Sequence, residues 1–278
     1  MKKLLIVIVL LLSIMACNIG GATNDPPVEF PTPTEGEAPT PAPVDEATET
    51  TAPVDEEVAP TNTTTPSEES GLPSGQLLYS TEFSNLTGWR HFPWWRSSIQ
   101  ALVDADFKPQ IATYDAEIKK DEFHLVMPKR YSNIAAVYET DLGSPDVTIN
   151  TQAEFALVRP WTFISLMCRY SDAGWYEFYI YADGLWGIMK ITNTGGAYYE
   201  DKVMIEEETS LIINNDDNAL NDITATCNGN LLTLSLNGTQ LGSVQDDVHT
   251  DGFIGVGAGA GEQGNSQVDF MDLSVTVP

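Results

Sequence analysis

CRYSDAGWYEFYIYADGLWGIMKI, residues 168–191, is the stretch that decides the fold class. From Trp175 to Tyr181 the side chains alternate between two faces, as they must along an extended strand. Tyr176, Phe178 and Ile180 fall on one face and read as core; Trp175, Glu177, Tyr179 and Tyr181 fall on the other. Ala182-Asp183-Gly184 then offers residues tolerant of a tight reversal, and a second apolar run begins at Leu185. Ser171-Asp172-Ala173-Gly174 reads as the preceding hairpin. No helical period fits this segment.

The same pattern extends in both directions. Runs rich in Val, Ile, Tyr, Phe and Thr predict strands near 77–83, 113–118, 122–127, 134–140, 147–157, 162–170, 175–182, 185–192, 198–205, 222–228, 231–236, 252–258 and 267–277. Asn228-Gly229-Asn230 and Asn237-Gly238 supply further turn chemistry. So many short strands exceed one sheet, and residues 77–278 are expected to be all-β, two packed antiparallel sheets. Trp94-Trp95-Arg96 follows Pro93 and is expected to be a non-strand loop.

Residues 17–76 differ abruptly. Eleven of the 17 prolines lie there, with 12 Asp/Glu, no Lys or Arg, and Phe30 as the one aromatic. Such a segment cannot bury enough apolar surface to offset its ordering entropy, so a disordered Pro/Thr/Glu-rich linker is expected. Its reach would lie between roughly 45 Å as a coil and about 180 Å as polyproline.

Residues 1–16 read as a signal peptide: Lys2 and Lys3, then an apolar run from Leu4 to Met15 that is short of the roughly 20 residues a spanning helix needs. Ile14-Met15-Ala16-Cys17 resembles the lipobox of bacterial lipoproteins, which implies a lipid on Cys17 and a membrane-anchored domain facing the extracellular or periplasmic side. With Cys17 lipidated, Cys168 and Cys227 remain as a pair, and both sit in strand-like runs; a disulfide or two buried thiols would satisfy them. The formal net charge is -27, and residues 77–278 carry 28 acidic and 11 basic side chains, which leaves no footprint for nucleic acid.

The order of the 168–191 stretch, then NDITATCNGNLLTLSLNGTQL, DGFIGVGAGAG and QVDFMDLSV, resembles the concanavalin A-like (laminin G-like) jelly-roll domains, including the 3-keto-disaccharide hydrolase type. The resemblance implies a jelly-roll sandwich with its first and last strands adjacent. It speaks for the fold more than for a function.

Enzyme signatures are sparse, and no catalytic residue is assigned. The Glu-x-Asp-x-x-Glu strand of family-16 glucanases is missing, and Glu206-Glu207-Glu208 is contiguous, so neighbours point to opposite faces. His91, His124 and His249 lack metal-ligand spacing, and no metal site is expected. Asn214–Asn218 could wrap a structural calcium but lacks the EF-hand glycine and distal Glu, so a polar turn is the preferred reading and no cofactor is assigned. Binding chemistry is better represented. Glu177, Tyr179 and Tyr181 are expected to share a face with Arg169, Trp186 and Lys190, with Trp94 and Trp95 as a loop wall. Aromatic faces beside charged hydrogen-bonding groups suit a sugar ring. The sequence therefore predicts a non-catalytic domain for a polysaccharide or glycan; a hydrolase and a protein-binding adhesion module are the alternatives.

Overall fold

The computed structural model describes residues 72–99, 114–196, 198–205 and 208–278. The expected signal peptide, the lipidation site Cys17 and residues 17–71 of the linker lie outside them, as do Glu206 and Glu207.

The chain forms β1 (Leu77–Thr81), β2 (Trp89–Trp94), a 3-10 turn (Ser97–Ile99), β3 (Asp115–Lys119), β4 (Glu122–Met127), β5 (Asn133–Tyr138), β6 (Val147–Leu157), β7 (Phe163–Ser171), β8 (Gly174–Tyr181) and β9 (Leu185–Asn193). It continues through β10 (Tyr199–Val203), β11 (Glu208–Thr209), β12 (Leu220–Asn228), β13 (Leu231–Leu236), β14 (Thr239–Gln245), β15 (Phe253–Gly259), β16 (Ser266–Phe270) and β17 (Leu273–Thr276). A nine-stranded sheet orders β14-β13-β12-β6-β16-β4-β3, with β17 and β1 laid beside the first half of β6. An eight-stranded sheet orders β10-β9-β8-β7-β15-β5-β2, with β11 against β9. Neighbouring strands run antiparallel, and the first strand pairs with the last, as expected.

The core between the sheets is built by alternation. The eight-stranded sheet contributes Ile164, Leu166, Tyr176, Phe178, Ile180 and Val256; the other contributes Phe123, Leu125, Ile149, Phe155, Leu234 and Phe270. Cys168 on β7 and Cys227 on β12 sit in this layer and are disulfide-bonded, so the bridge ties one sheet to the other.

Several expectations change. Trp94 closes a strand rather than a loop: β2 is an edge strand, where Pro93 is tolerated because its missing N–H is not needed by a second neighbour. The run 267–277 breaks into β16 and β17, because Met271 N–H bonds to Gln152 O and Thr151 Oγ1 bonds to Asp272 O at the step between them. Between β13 and β14, Asn237 and Gly238 both take positive φ (48° and 78°), so β14 turns back as a hairpin partner that weak apolar patterning concealed. Asn214–Asn218 lies in a polar turn, tied by Asn214 N–H to Asn221 Oδ1 and by Asn221 Nδ2–H to Asn214 O.

Candidate functional site

The second face of β8 does not stand open. After Trp94 the chain leaves β2 and crosses the outer face of the eight-stranded sheet to β10 at its far edge. There Arg96 bridges to Tyr199, Tyr199 N–H donates to Trp95 O, and Asp201 takes Ser98 N–H (3.0 Å) and the Ser97 and Ser98 hydroxyls. This strap, residues 95–98, and its flanking aromatics close over a second apolar layer of Trp94, Phe163, Met167, Tyr170, Trp175, Tyr179 and Met189. The Trp94 ring meets Trp175 edge-on at 5.2 Å between centroids.

The predicted binding residues separate accordingly. Glu177, Tyr179, Tyr181 and Trp94 share the outer layer, as the alternation implied. Trp186 and Lys190 do not: they pair across strands with Ile180 and Tyr176, which places them on the inner face. Trp186 packs in the inter-sheet core, and Lys190 Nζ bonds to Asp246 at 2.7 Å. Arg169 is also displaced. The β7–β8 register shifts between Cys168 and Ser171, Arg169 takes φ 55°, and its guanidinium turns toward Asp146 Oδ1, Gly229 O and His249 O. It pins the two sheets together. Tyr179 is fully buried, so no ring can stack on it while the strap is in place.

Under the strap lies a polar unit in an apolar setting. Arg96 is 8% exposed, with its guanidinium carbon 4.8 Å from the Phe163 ring centroid and 5.5 Å from that of Tyr179. Its Nη1 donates to Tyr181 Oη at 3.1 Å, while Nε and Nη2 have no partner. Burial disfavours its charge, but Tyr181, Glu177 and Tyr179 together hold the guanidinium protonated, above its ordinary range. Glu177, fully buried, accepts from Ser165 Oγ at 2.7 Å through Oε1, and its Oε2 is unpartnered. Burial pushes its carboxyl above the usual carboxylate range, with Arg96 and Ser165 pulling the other way.

This layer opens at one end of the sandwich. The loops 128–132, 158–162 and 260–265 meet there around a cleft of about 300 Å³. Its walls are Trp161, Phe163, Tyr181 and Tyr131; its floor holds Arg96 and Asn133; Ala260, Gly261 and Glu262 complete the rim. Trp161 is 46% exposed and meets the Tyr181 ring edge-on at 5.8 Å. Asn133 is 3% exposed, and its Nδ2 has no partner. Trp161 and Tyr131 both hold left-handed backbone (φ 62° and 55°), a conformation costing bulky residues about 1–3 kcal/mol each, which the surrounding loops impose. Gly261 makes this possible: a Cβ there would lie 2.3 Å from Trp161 Cβ and 2.5 Å from Pro160 O.

Trp161, Asn133 and Tyr131 were not foreseen. A Pro-Trp pair in the turn after β6 was the available signal for Trp161; Asn133 carries none, since only the pairing of β2 with β5 brings it opposite Trp94. A larger hollow of about 710 Å³, between Tyr79, Glu82, Asn85 and Asp272, lies elsewhere and is lined by none of the buried unpartnered groups. His124 is bonded to Asp269 across β4 and β16, and His249 Nε2 to Ile191 O at 3.0 Å. Among the described residues no group of three or more His, Cys, Asp or Glu is placed to hold a metal ion, and no helix is long and apolar enough to cross a membrane.

No protein-family model matches this sequence, and no curated protein matches it. Solved structures do. A Bacillus subtilis protein of unknown function with a galectin-like fold aligns with TM-score 0.52 at 12% identity, over 73% of this chain and 97% of that one. The fold is of that galectin-like kind. The carbohydrate-binding module CBM66 of B. subtilis aligns at TM-score 0.46 and 15% identity, over 67% of this chain and 94% of that one. A Bacteroides ovatus GH16 enzyme from a mixed-linkage glucan locus, in complex with product, aligns at 0.47 and 9%, over 71% and 99%.

Proposed function

We propose that residues 77–278 form a carbohydrate-binding domain whose site is the cleft at Trp161. The observation that carries this reading is the juxtaposition of a half-exposed tryptophan with buried, unpartnered donors on Arg96 and Asn133. A pyranose ring has an apolar face to lay on an indole and a rim of hydroxyls to satisfy such donors. Ligand pockets of this size pair apolar walls with a few convergent polar groups. For the hydrolase reading, two carboxylates would have to flank the bound sugar; Glu262 is the carboxylate that lines the cleft among the described residues.

The setting we propose is a lipoprotein, anchored through Cys17 and holding the domain off a membrane on the linker 17–76. Palmitate labelling of the chain, abolished by Cys17→Ser, checks the anchor.

The function is tested by a glycan array with the full chain beside Trp161→Ala. Saturable binding to a glycan is expected, weakened in the variant by about 30-fold, the cost of a central aromatic anchor. Absence of binding to every glycan, with a stoichiometric protein recovered by pull-down instead, would refute the reading in favour of an adhesion module.

A further inference from the structure

We infer that the cleft selects a sugar acid, a uronate whose carboxylate seats on Arg96 while its ring lies against Trp161. This rests on the carbohydrate reading above and specifies its ligand. The guanidinium presents its five N–H groups in a fixed plane. With Nη1 committed to Tyr181 Oη, the nitrogens left unpartnered are Nε and Nη2, which lie on one edge of that plane and point the same way. That edge is the fork that receives two carboxylate oxygens in parallel. Two vicinal hydroxyls of a neutral sugar can accept from both nitrogens; a carboxylate does so with two charged oxygens at the spacing of the fork, the stronger pairing. Asn133 Nδ2 adds a third unpartnered donor on the same floor.

The charges around the cleft give the ligand a direction. Among the residues that line it, Arg96 is the buried cation and Glu262 the carboxylate. A uronate would place its acid group at the Arg96 end, away from Glu262, and turn hydroxyls toward Glu262, which can accept from them. The interior carboxyl Glu177 accepts from Ser165 Oγ through Oε1 and keeps Oε2 unpartnered; neither oxygen is a hydrogen-bond partner of Arg96 Nε or Nη2. Donors buried without acceptors carry an uncompensated desolvation cost, larger when charged, so a fold that keeps three of them together favours whatever supplies the acceptors.

The test is isothermal titration of the full chain with trigalacturonate and with a glucuronate-containing oligosaccharide, each beside its methyl ester and its neutral counterpart. The ester keeps the ring and removes the charge, so no variant is needed for the central comparison. The acids are expected to bind about 10- to 100-fold more tightly than their esters, the range of a lost charge-assisted hydrogen bond. Arg96→Lys keeps a positive charge but not the fork, and should erase most of that preference; Trp161→Ala should weaken acid and ester alike. Equal affinity for acid and ester would overturn the inference and leave sugar binding standing. Binding to neutral glycans but to neither acid would overturn it too, and failure to bind any sugar would remove the carbohydrate reading itself.

Discussion

Replacing Cys168 and Cys227 together by alanine should lower stability by about 4 kcal/mol without changing the fold. The two cysteines are 59 residues apart in sequence, and the chain-entropy relation for a loop of about 60 residues gives that figure, acting on the unfolded chain. For a domain of about 200 residues, each kcal/mol moves the melting temperature by roughly 2–4 °C, so a drop of about 8–16 °C is expected. The native arrangement should persist, because Arg169, next to Cys168, still bonds Gly229 O two residues beyond Cys227. Glycan affinity should also persist: Cys168 lies about 16 Å along β7 from Phe163 in the cleft wall. The assay is calorimetric melting, with near-ultraviolet circular dichroism at 25 °C to confirm the tertiary signal. A melting temperature within about 2 °C of wild type would refute the loop-entropy argument, and a lost near-ultraviolet signal would show that the bridge dictates the packing.

Three other outcomes follow from the same contacts. Arg169→Met should cost about 2 kcal/mol in denaturant unfolding, because it removes the donors to the Gly229 and His249 carbonyls, while Asp146 keeps the Gly229 N–H. Gly261→Ala should displace Trp161 and reduce glycan affinity more than stability, since the offending contacts are with Trp161 Cβ and a backbone carbonyl; titration and melting on the same sample separate the two. His249 is held below its ordinary pKa of about 6.5 by burial, the Ile191 carbonyl opposing. The unfolded chain therefore takes up a proton first as pH falls, so this contribution to stability is present above about pH 6.5 and fades below it. Melting profiles from pH 7.5 to 5 should flatten in His249→Gln.

The sandwich was legible because burial on one face leaves period-two writing in β6, β8 and β13, and because Asn237-Gly238 and Asp183-Gly184 announce their turns. β14 was not, since TQLGSVQ lies at an edge with little to bury. The outer face of β8 was read correctly as a face and wrongly as an open one. Alternation says that Glu177 and Tyr179 point together; it cannot say that a strap beginning about 80 residues earlier will cross over them. Arg169, Trp186 and Lys190 were lost to register: one bulge at Arg169, and hairpin pairing that sets Trp186 opposite Ile180, reverse the face that sequence proximity suggested. Trp161 belongs to a loop, where no period operates.

Pro93 in β2 has a consequence for how copies of this protein meet. An edge strand is a template on which another chain can add, and five of the described edges carry an obstacle to templating. β2 lacks a donor at Pro93; β10 presents Glu200, Asp201 and Lys202; β3 presents Asp115, Glu117 and Lys119; β14 and β1 each slip register against their inner neighbours. Crowded copies of this domain therefore meet an obstacle to sheet addition at each of these five edges.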